Sequence, residues 1–205
     1  MSKSLVIVGA SGHGKVIADI AKLNRYEEIV FLDDNSSIKT CSGYPVVGTV
    51  NDALYYHESD FIVAIGNGHV RQRIQKKLED LELRVVSLIH PNAVIGSRVS
   101  IGKGTAIMAG TVINAETDIG KGCIINTCAS VDHDCKLHDF VHVSVGAHVA
   151  GKVILGEKTW VGAGATIINN LYVTDNTMIG AGAVVVKDIV EAGVYVGVPA
   201  RNQMQ

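Results

Sequence analysis

Four of the eight histidines in this 205-residue sequence fall within sixteen consecutive positions. They are His133, His138, His142 and His148. His133 stands between two acids, Asp132 and Asp134. A carboxylate beside an imidazole fixes its tautomer and stabilises the cation that forms when the ring takes a proton. The spacing therefore predicts a general base at His133, with a solvated turn containing a histidine among acids as the plainer alternative.

The segment that carries these histidines is a six-residue repeat. An aliphatic residue recurs at every sixth position from Ile95 to Val185, and a small or aliphatic residue stands two places before each, from Ala93 to Ala183. This period fits neither the 3.6-residue period of an α-helix nor antiparallel hairpins. It predicts short strands joined by tight corners, with three hexads in each coil of a narrow triangular prism and equivalent residues of successive coils stacked in columns.

Stacking at this interval places small residues along one strip of the prism. The columns are Gly146, Gly164 and Gly182; Val145, Ala163 and Ala181; and Ser144, Gly162 and Gly180. A strip without bulky side chains lets a thin chain such as a pantetheine arm lie against the backbone. The alternative is that tight corners simply need glycine.

The first 88 residues show a different pattern, which is typical of alternating strands and helices. Predicted strands cover residues 5–8, 29–32 and 61–65, and predicted helices cover 15–23 and 70–81, with Val16, Ile17, Ile20 and Ala21 on one helix face. This order predicts a small parallel sheet with a ligand at its C-terminal edge. The loop Gly9-x-x-Gly12-x-Gly14 departs from G-x-G-x-x-G and the domain is short, which disfavours a redox dinucleotide.

A mononucleotide or a sugar nucleotide fits this predicted edge better. Amides at the helix start near Gly12 can hold a phosphate, and Asp33 or Asp34 can accept hydrogen bonds from ribose or base. A glycine turn that binds nothing is the alternative.

Composition excludes several partner classes. The net charge is −2 and the Lys and Arg residues are spread along the chain, which predicts no nucleic-acid partner and no membrane insertion. Four apolar residues before Gly9 are too few for a signal peptide or a membrane span, so we expect a cytoplasmic protein. Its cysteines, Cys41, Cys123, Cys128 and Cys135, are expected to be small buried hydrophobic residues without disulfides.

In combination, these motifs resemble bacterial sugar-nucleotide acetyltransferases of the bacillosamine-pathway and sialic-acid-pathway type. The matching segments include residues 9–14, 31–34, 64–67, 88–91, 125–127, 132–135, 140–147 and 196–200. The resemblance implies a small α/β Rossmann-like domain over residues 1–88, followed over 89–205 by the left-handed parallel β-helix of hexapeptide-repeat acyltransferases. It also implies a homotrimer, with an acetyl-CoA site between neighbouring prisms.

The resemblance assigns roles to particular residues. His133 would be the catalytic base, Asp134 would raise its basicity and Asn126 would line the same site. Acetyl-CoA would contact His142, Ala163 and Ala181, which with the glycine strip gives the expected cofactor-binding set His142, Gly146, Ala163, Gly164, Ala181 and Gly182. The nucleotide sugar would contact Ser11, Gly12, His13, Asp33, Asp34 and Gly66, and no metal is expected.

The expected reaction is transfer of acetyl from acetyl-CoA to the 4-amino group of a nucleotide-linked amino sugar, with a UDP-4-amino-4,6-dideoxy sugar favoured. The best-known bacillosamine-pathway member has glutamate in place of Asp134, so the acid here is one methylene shorter. It also lacks much of the stretch 40–59, and this second difference leaves the exact sugar open. O-acetylation of a sialic acid and a non-enzymatic sugar-nucleotide-binding scaffold stay open as alternatives. A γ-type carbonic anhydrase is disfavoured because Ser97 stands where its remaining zinc ligand is expected.

Overall fold

The computed structural model describes residues 3–203 of the chain. The chain divides into two compact units between Pro91 and Asn92, whereas the sequence pattern suggests a boundary at residue 88. Each unit has its own buried core, formed by the sheet and helices in the first and by the coils in the second.

The first unit alternates strands and helices. In chain order its elements are β1 (Ser4–Val8), α1 (Gly12–Leu23), β2 (Glu28–Leu32), β3 (Thr40–Cys41), β4 (Tyr44–Gly48), a 3₁₀ helix (Val50–Tyr56), β5 (Asp60–Val63), α2 (Gly68–Asp80), β6 (Arg84–Val85) and β7 (Leu88–Ile89). Its sheet has the order β3-β4-β2-β1-β5-β6, parallel except for β3. Because β1 lies between β2 and β5, the direction of winding reverses at β1, and the loops after these strands meet at one edge.

The predicted strands and helices of this unit are present, with shifted ends. Helix α1 begins at Gly12 and not at Lys15, whose backbone N–H donates to the Ser11 carbonyl at 3.0 Å. Val16, which was expected on the buried face, is 41% exposed, and Ala18 packs inward instead. The β3–β4 hairpin and the 3₁₀ helix were not predicted, because the two-residue strand β3 is too short for any periodicity to show.

Asp60 is a buried carboxylate at the edge where the strands of this sheet begin. It is 2% exposed, its Oδ2 accepts a hydrogen bond from the Tyr26 hydroxyl at 2.6 Å, and its Oδ1 pairs with Arg84. Burial, with the hydrogen bond to Asp60, raises the pKa of Tyr26 well above its ordinary value. This cluster is structural, since it lies at the opposite edge from the loops after β1, β2 and β5.

Substitution of Asp60 by alanine is expected to destabilise the protein by about 2–3 kcal/mol, because the buried Tyr26 hydroxyl loses its acceptor. Asp60→Asn keeps an acceptor oxygen and should cost clearly less. Urea unfolding followed by circular dichroism measures both effects. Equal unfolding midpoints for Asp60→Ala and the wild type would show that the cluster contributes nothing to stability.

The second unit is a parallel β-helix of short strands arranged in three sheets, here called faces A, B and C. Face A contains Val94–Ile95, Val112–Ile113, Ser130–Val131, His148–Val149, Thr166–Ile167 and Val184–Val185. Face B contains Ser100–Ile101, Asp118–Ile119, Lys136–Leu137, Ile154–Leu155 and Tyr172–Val173. Face C contains Ala106–Ile107, Ile124–Ile125, His142–Val143, Trp160–Val161, Met178–Ile179, Val194–Val196 and the antiparallel strand Arg201–Asn202. Each hexad strand pairs with the strand three hexads further along the chain, as predicted, so that Ser130 stands beside His148.

The inward positions of the repeat form the core of the β-helix. Side chains such as Ile107, Val131 and Val161 are fully buried. Four inward threonines donate their hydroxyls to carbonyls of the next coil, as Thr105 does to Gly120 at 2.9 Å, whereas the inward Thr177 hydroxyl has no hydrogen-bond partner among residues 3–203. Narrow coils filled by small and branched side chains explain the 5% aromatic content of the sequence.

Every corner of the coils from residue 98 to residue 182 has a residue with positive φ, three positions after the inward aliphatic residue. Non-glycine residues occupy nine of these corners: Arg98, Glu116, Cys128, Asp134, Phe140, Lys152, Lys158, Asn170 and Asn176. Cys128 is therefore an exposed corner residue, contrary to the expectation that all four cysteines are buried. The other three cysteines are buried as expected.

Candidate active site

His133 lies on the edge between faces A and B, directly before a corner. Its Nδ1 is 2.6 Å from the Oδ2 of Asp134, which occupies the corner with φ 59°. The left-handed corner turns the Asp134 carboxylate back towards the preceding side chain. With Nδ1–H directed at this carboxylate, Nε2 is the nitrogen that accepts a proton. The ring is half exposed, so a substrate can reach it.

A second carboxylate fixes the same corner from the other side. The Oδ1 of Asp132 accepts hydrogen bonds from the Asn114 amide at 2.7 Å and from the backbone N–H of His133 at 2.8 Å. The Asn114 hydrogen bond, and then that of the His133 backbone, hold the pKa of Asp132 below its usual range. Thr117 donates to the Asp132 carbonyl from inside the coil at 2.8 Å. The backbone around His133 is thus held by groups of the neighbouring coil.

An open cleft of about 410 Å³ borders His133 and reaches Lys152, Asn169 and Asn170. Its floor is Gly151, where an added Cβ would stand 2.7 Å from the imidazole Nε2 and 2.8 Å from Cε1. Glycine at this position leaves room for the ring against the next coil. Gly151 was not among the expected site residues, although it occupies the position equivalent to His133 in the next coil and the repeat would have located it.

Substitution of Gly151 by alanine is expected to lower kcat by about tenfold or more, because the new methyl group displaces the imidazole from its position. The imidazole can swing away, so the melting temperature should stay near that of the wild type. Steady-state kinetics with a thermal melt on the same preparation separates the two effects. Wild-type kcat in Gly151→Ala would contradict this placement of His133.

Asn126 and His142 lie together on face C, at the start of the edge between faces C and A. The Asn126 Nδ2 is 3.4 Å from the His142 Nε2, and His142 stacks on Trp160 with ring centroids 5.3 Å apart. The Trp160 indole N–H donates to the Ser144 hydroxyl at 2.7 Å. Within one chain, Asn126 therefore accompanies the expected acetyl-CoA residues and lies on a different edge from His133. Trp160 was missed as a site residue, although it pairs directly with His142 from the next coil of face C.

The glycine strip follows the edge between faces C and A. Gly146, Gly164 and Gly182 occupy corners with φ of 61°, 65° and 66°, and an added Cβ at any of them would meet no atom within 4 Å. Since nine corners elsewhere accept other residues, corner geometry alone does not explain glycine here. Ala163 and Ala181 are exposed beside them, whereas Val145 adds a half-exposed branched side chain at the first coil of the strip. The strip is open backbone.

In the first unit, the expected substrate-binding residues follow the C-terminal ends of neighbouring strands. Ser11, Gly12 and His13 follow β1, Asp33 and Asp34 follow β2, and Gly66 follows β5. The two carboxylates brace these loops: Asp33 accepts from the backbone N–H of Ala10 at 2.7 Å, and Asp34 accepts from that of Val50 at 3.2 Å. Asp33 also lines a cavity of about 230 Å³ beside β4.

Two further observations concern residues 3–203. No group of three or more His, Cys, Asp or Glu side chains in this range is arranged to hold a metal ion. No helix in the same range is both long and apolar enough to cross a bilayer.

Comparison with known proteins matches both halves of the chain. Residues 4–78 match the family model described as the PglD N-terminal domain. GDP-perosamine N-acetyltransferase of Escherichia coli O157:H7 is 32% identical over 157 residues, which cover 73% of this chain and 71% of that protein. UDP-N-acetylbacillosamine N-acetyltransferase of Bacillus subtilis (strain 168) is 34% identical over 113 residues, 52% of each chain.

The solved structures extend this similarity to the whole chain. The acetyltransferase domain of PglB from Neisseria gonorrhoeae FA1090, in complex with acetyl coenzyme A, has 40% identity and a TM-score of 0.94, covering 98% of this chain and 100% of that one. The fold of both units and the names of the curated relatives indicate the same family of enzymes. The chain therefore belongs to the family of PglD-type sugar-nucleotide N-acetyltransferases with a hexapeptide-repeat β-helix.

Proposed function

We propose that this chain transfers acetyl from acetyl-CoA to the 4-amino group of a nucleotide-linked amino sugar, a UDP-4-amino-4,6-dideoxy sugar, with His133 as the general base. The observation that carries this proposal is the 2.6 Å contact between His133 Nδ1 and Asp134, which makes Nε2 the proton acceptor of a ring that lines an open cleft. The first unit supplies the nucleotide-binding edge with Ser11, Gly12, His13, Asp33, Asp34 and Gly66. The strip with His142, Gly146, Ala163, Gly164, Ala181 and Gly182 takes acetyl-CoA.

The proposed transfer is direct. The neutral amine attacks the thioester carbon, a C–N bond forms and His133 Nε2 takes the proton released by the nitrogen. The C–S bond then breaks, and the departing thiolate of CoA takes the proton from the imidazolium. A backbone N–H beside the glycine strip stabilises the oxyanion between these steps.

An acyl-cysteine intermediate is disfavoured by the placement of the cysteines. Burial raises the pKa of the Cys135 thiol to about 11, so the reactive thiolate is scarce at neutral pH. Cys128 is exposed at a corner of the opposite edge of face A from His133. Direct attack by the amine needs neither thiol.

We also propose that the active unit is a homotrimer in which each site lies between neighbouring prisms. His133 and the glycine strip lie on different edges of one prism, with a whole face of the β-helix between them. Six residues of extended chain span up to about 20 Å, too far for one imidazole to reach a thioester on the next edge. A strip from a second copy brings the thioester to His133.

The test is release of free thiol from acetyl-CoA with a panel of acceptors: UDP-4-amino-4,6-dideoxy sugars, a GDP-4-amino sugar and free sialic acid. Release with the UDP sugar is the expected result. Release with the GDP sugar alone would mean that the substrate is a GDP-linked amino sugar, the class that appears in the name of the Escherichia coli relative. Release with sialic acid alone would mean O-acetylation. If none of the acceptors gives thiol release, a sugar-nucleotide-binding scaffold is favoured. A cytoplasmic location stays a prediction.

A further inference from the structure

Arg71 is a fully buried cation that the transfer chemistry does not use. It stands in the first turn of α2 and is 0% exposed. Burial of a guanidinium is costly unless its donors are satisfied by well-placed acceptors. Its Nη1 donates to two consecutive carbonyl oxygens, those of Ile65 and Gly66, each at 2.8 Å. The guanidinium therefore holds the loop between β5 and α2, which includes an expected substrate contact.

That loop supports the glycine loop after β1. Gly9 has φ of 114°, and an added Cβ there would stand 2.8 Å from the Ala64 carbonyl oxygen and 3.0 Å from the Ile65 side chain. The two loops are packed backbone to backbone at this point. Any shift of the loop that Arg71 holds is therefore transmitted to the glycine loop and to the start of α1.

Arg71 also influences the first turn of α1. Burial, and then the positive charge of Arg71, lower the pKa of His13 to about 4, so His13 is neutral at physiological pH. Its Nε2 is buried and has no hydrogen-bond partner among residues 3–203. Arg71 thus acts on the loop that follows β1 and on the loop that follows β5. The winding of the sheet reverses at this point, and ligands of such sheets bind there.

We infer that Arg71 is a positioning residue for the nucleoside diphosphate end of the substrate. By fixing the Ile65 and Gly66 carbonyls, it keeps the β5–α2 loop and the glycine loop in the single arrangement that presents their backbone to the diphosphate. This inference rests on the proposed function, because it names how the first unit of the same enzyme holds its nucleotide. Arg71 itself touches neither the amine nor the thioester.

The experiment compares Arg71→Met and Arg71→Lys with Arg73→Met, a control that removes an exposed cation from the same helix. Calorimetry with UDP and with GDP gives the affinity for each nucleotide, and steady-state kinetics give KM for both substrates. Arg71→Met should weaken binding of the accepted nucleotide about 10- to 100-fold, a loss typical of misplaced binding groups. In Arg71→Met, KM for the nucleotide sugar should rise in parallel, while KM for acetyl-CoA stays near the wild-type value. The Arg73→Met variant should resemble the wild type in all of these measurements.

Arg71→Lys keeps the charge but lacks the planar fork, so it should bind more weakly than wild type and more tightly than Arg71→Met. If Arg71→Met does not fold, a wild-type nucleotide affinity in Arg71→Lys overturns the inference. A parallel rise in both KM values would also overturn it, since that indicates general damage. Suppose that the wild type binds UDP or GDP and the Arg71 variants bind it more weakly as expected, but the wild type releases no thiol. The transfer proposal then fails and the positioning role stands.

Discussion

Replacement of His133 by alanine should lower kcat by about 10²- to 10⁴-fold, the usual loss on removal of a general base. The melting temperature should not change, because the ring is half exposed and rests on Gly151 without filling a core position. Thiol release from acetyl-CoA at saturating substrates measures the effect. His138→Ala is the matched control, since it removes another exposed histidine of the same coil.

Asp134 supplies a graded test of the same arrangement. Asp134→Asn keeps the corner shape but removes the charge that stabilises the imidazolium, so it should lose less activity than His133→Ala. Asp134→Glu should recover part of it, since it restores the carboxylate. If His133→Ala keeps within a few-fold of wild-type kcat, the amine loses its proton without this histidine and the proposed base is wrong.

Mixed oligomers of two inactive variants should regain activity if each site lies between chains. His133→Ala removes the base, and Gly164→Phe blocks the glycine strip. Phenylalanine can occupy such a corner, because Phe140 already does so with positive φ. Random assembly of co-expressed variants into a ring of heterologous interfaces leaves up to about a quarter of the sites with both parts intact. Tandem-tag purification removes the homo-oligomers, and each mixed trimer has one intact site in three, so activity per site after purification should approach about a third of the wild-type value.

The two homo-oligomers, purified the same way, are the controls and should each be nearly inactive. Light scattering on the wild type should give the mass of three chains. A mixed preparation that stays as inactive as its parents would place both parts of the site in one chain. A monomeric wild type with full activity would reject the trimer altogether.

The repeat made the second unit predictable from sequence. An inward residue at every sixth position limits each strand to a few residues. Because each coil has three faces, the strands of neighbouring coils pair at an interval of three hexads. The same register carried the information on Trp160 and Gly151, each of which stands one coil after a predicted site histidine. Corner geometry was not foreseen, because positive φ at Asp134 or Phe140 leaves no mark in residue type.

The first unit was less predictable where contacts are non-local. The strands β1, β2 and β5 are apolar runs that periodicity detects, whereas the β3–β4 hairpin depends on pairing with β2. Asn126 could be assigned a role only by resemblance, and no local pattern places it beside His142. In the sequence, Arg71 looks like any other polar residue of a surface helix. Only the structure shows that it is buried and hydrogen-bonded to the loop.

The register of three hexads per coil also limits how this half of the chain can change in length. Removal or addition of three complete hexads preserves each inward column and each corner, whereas a change that misses this length by a single residue turns the inward residues outward from that point on. Length variants that keep every corner tight therefore differ by whole coils. Each coil adds one strand spacing of about 4.8 Å along the axis and leaves the cross-section as it was.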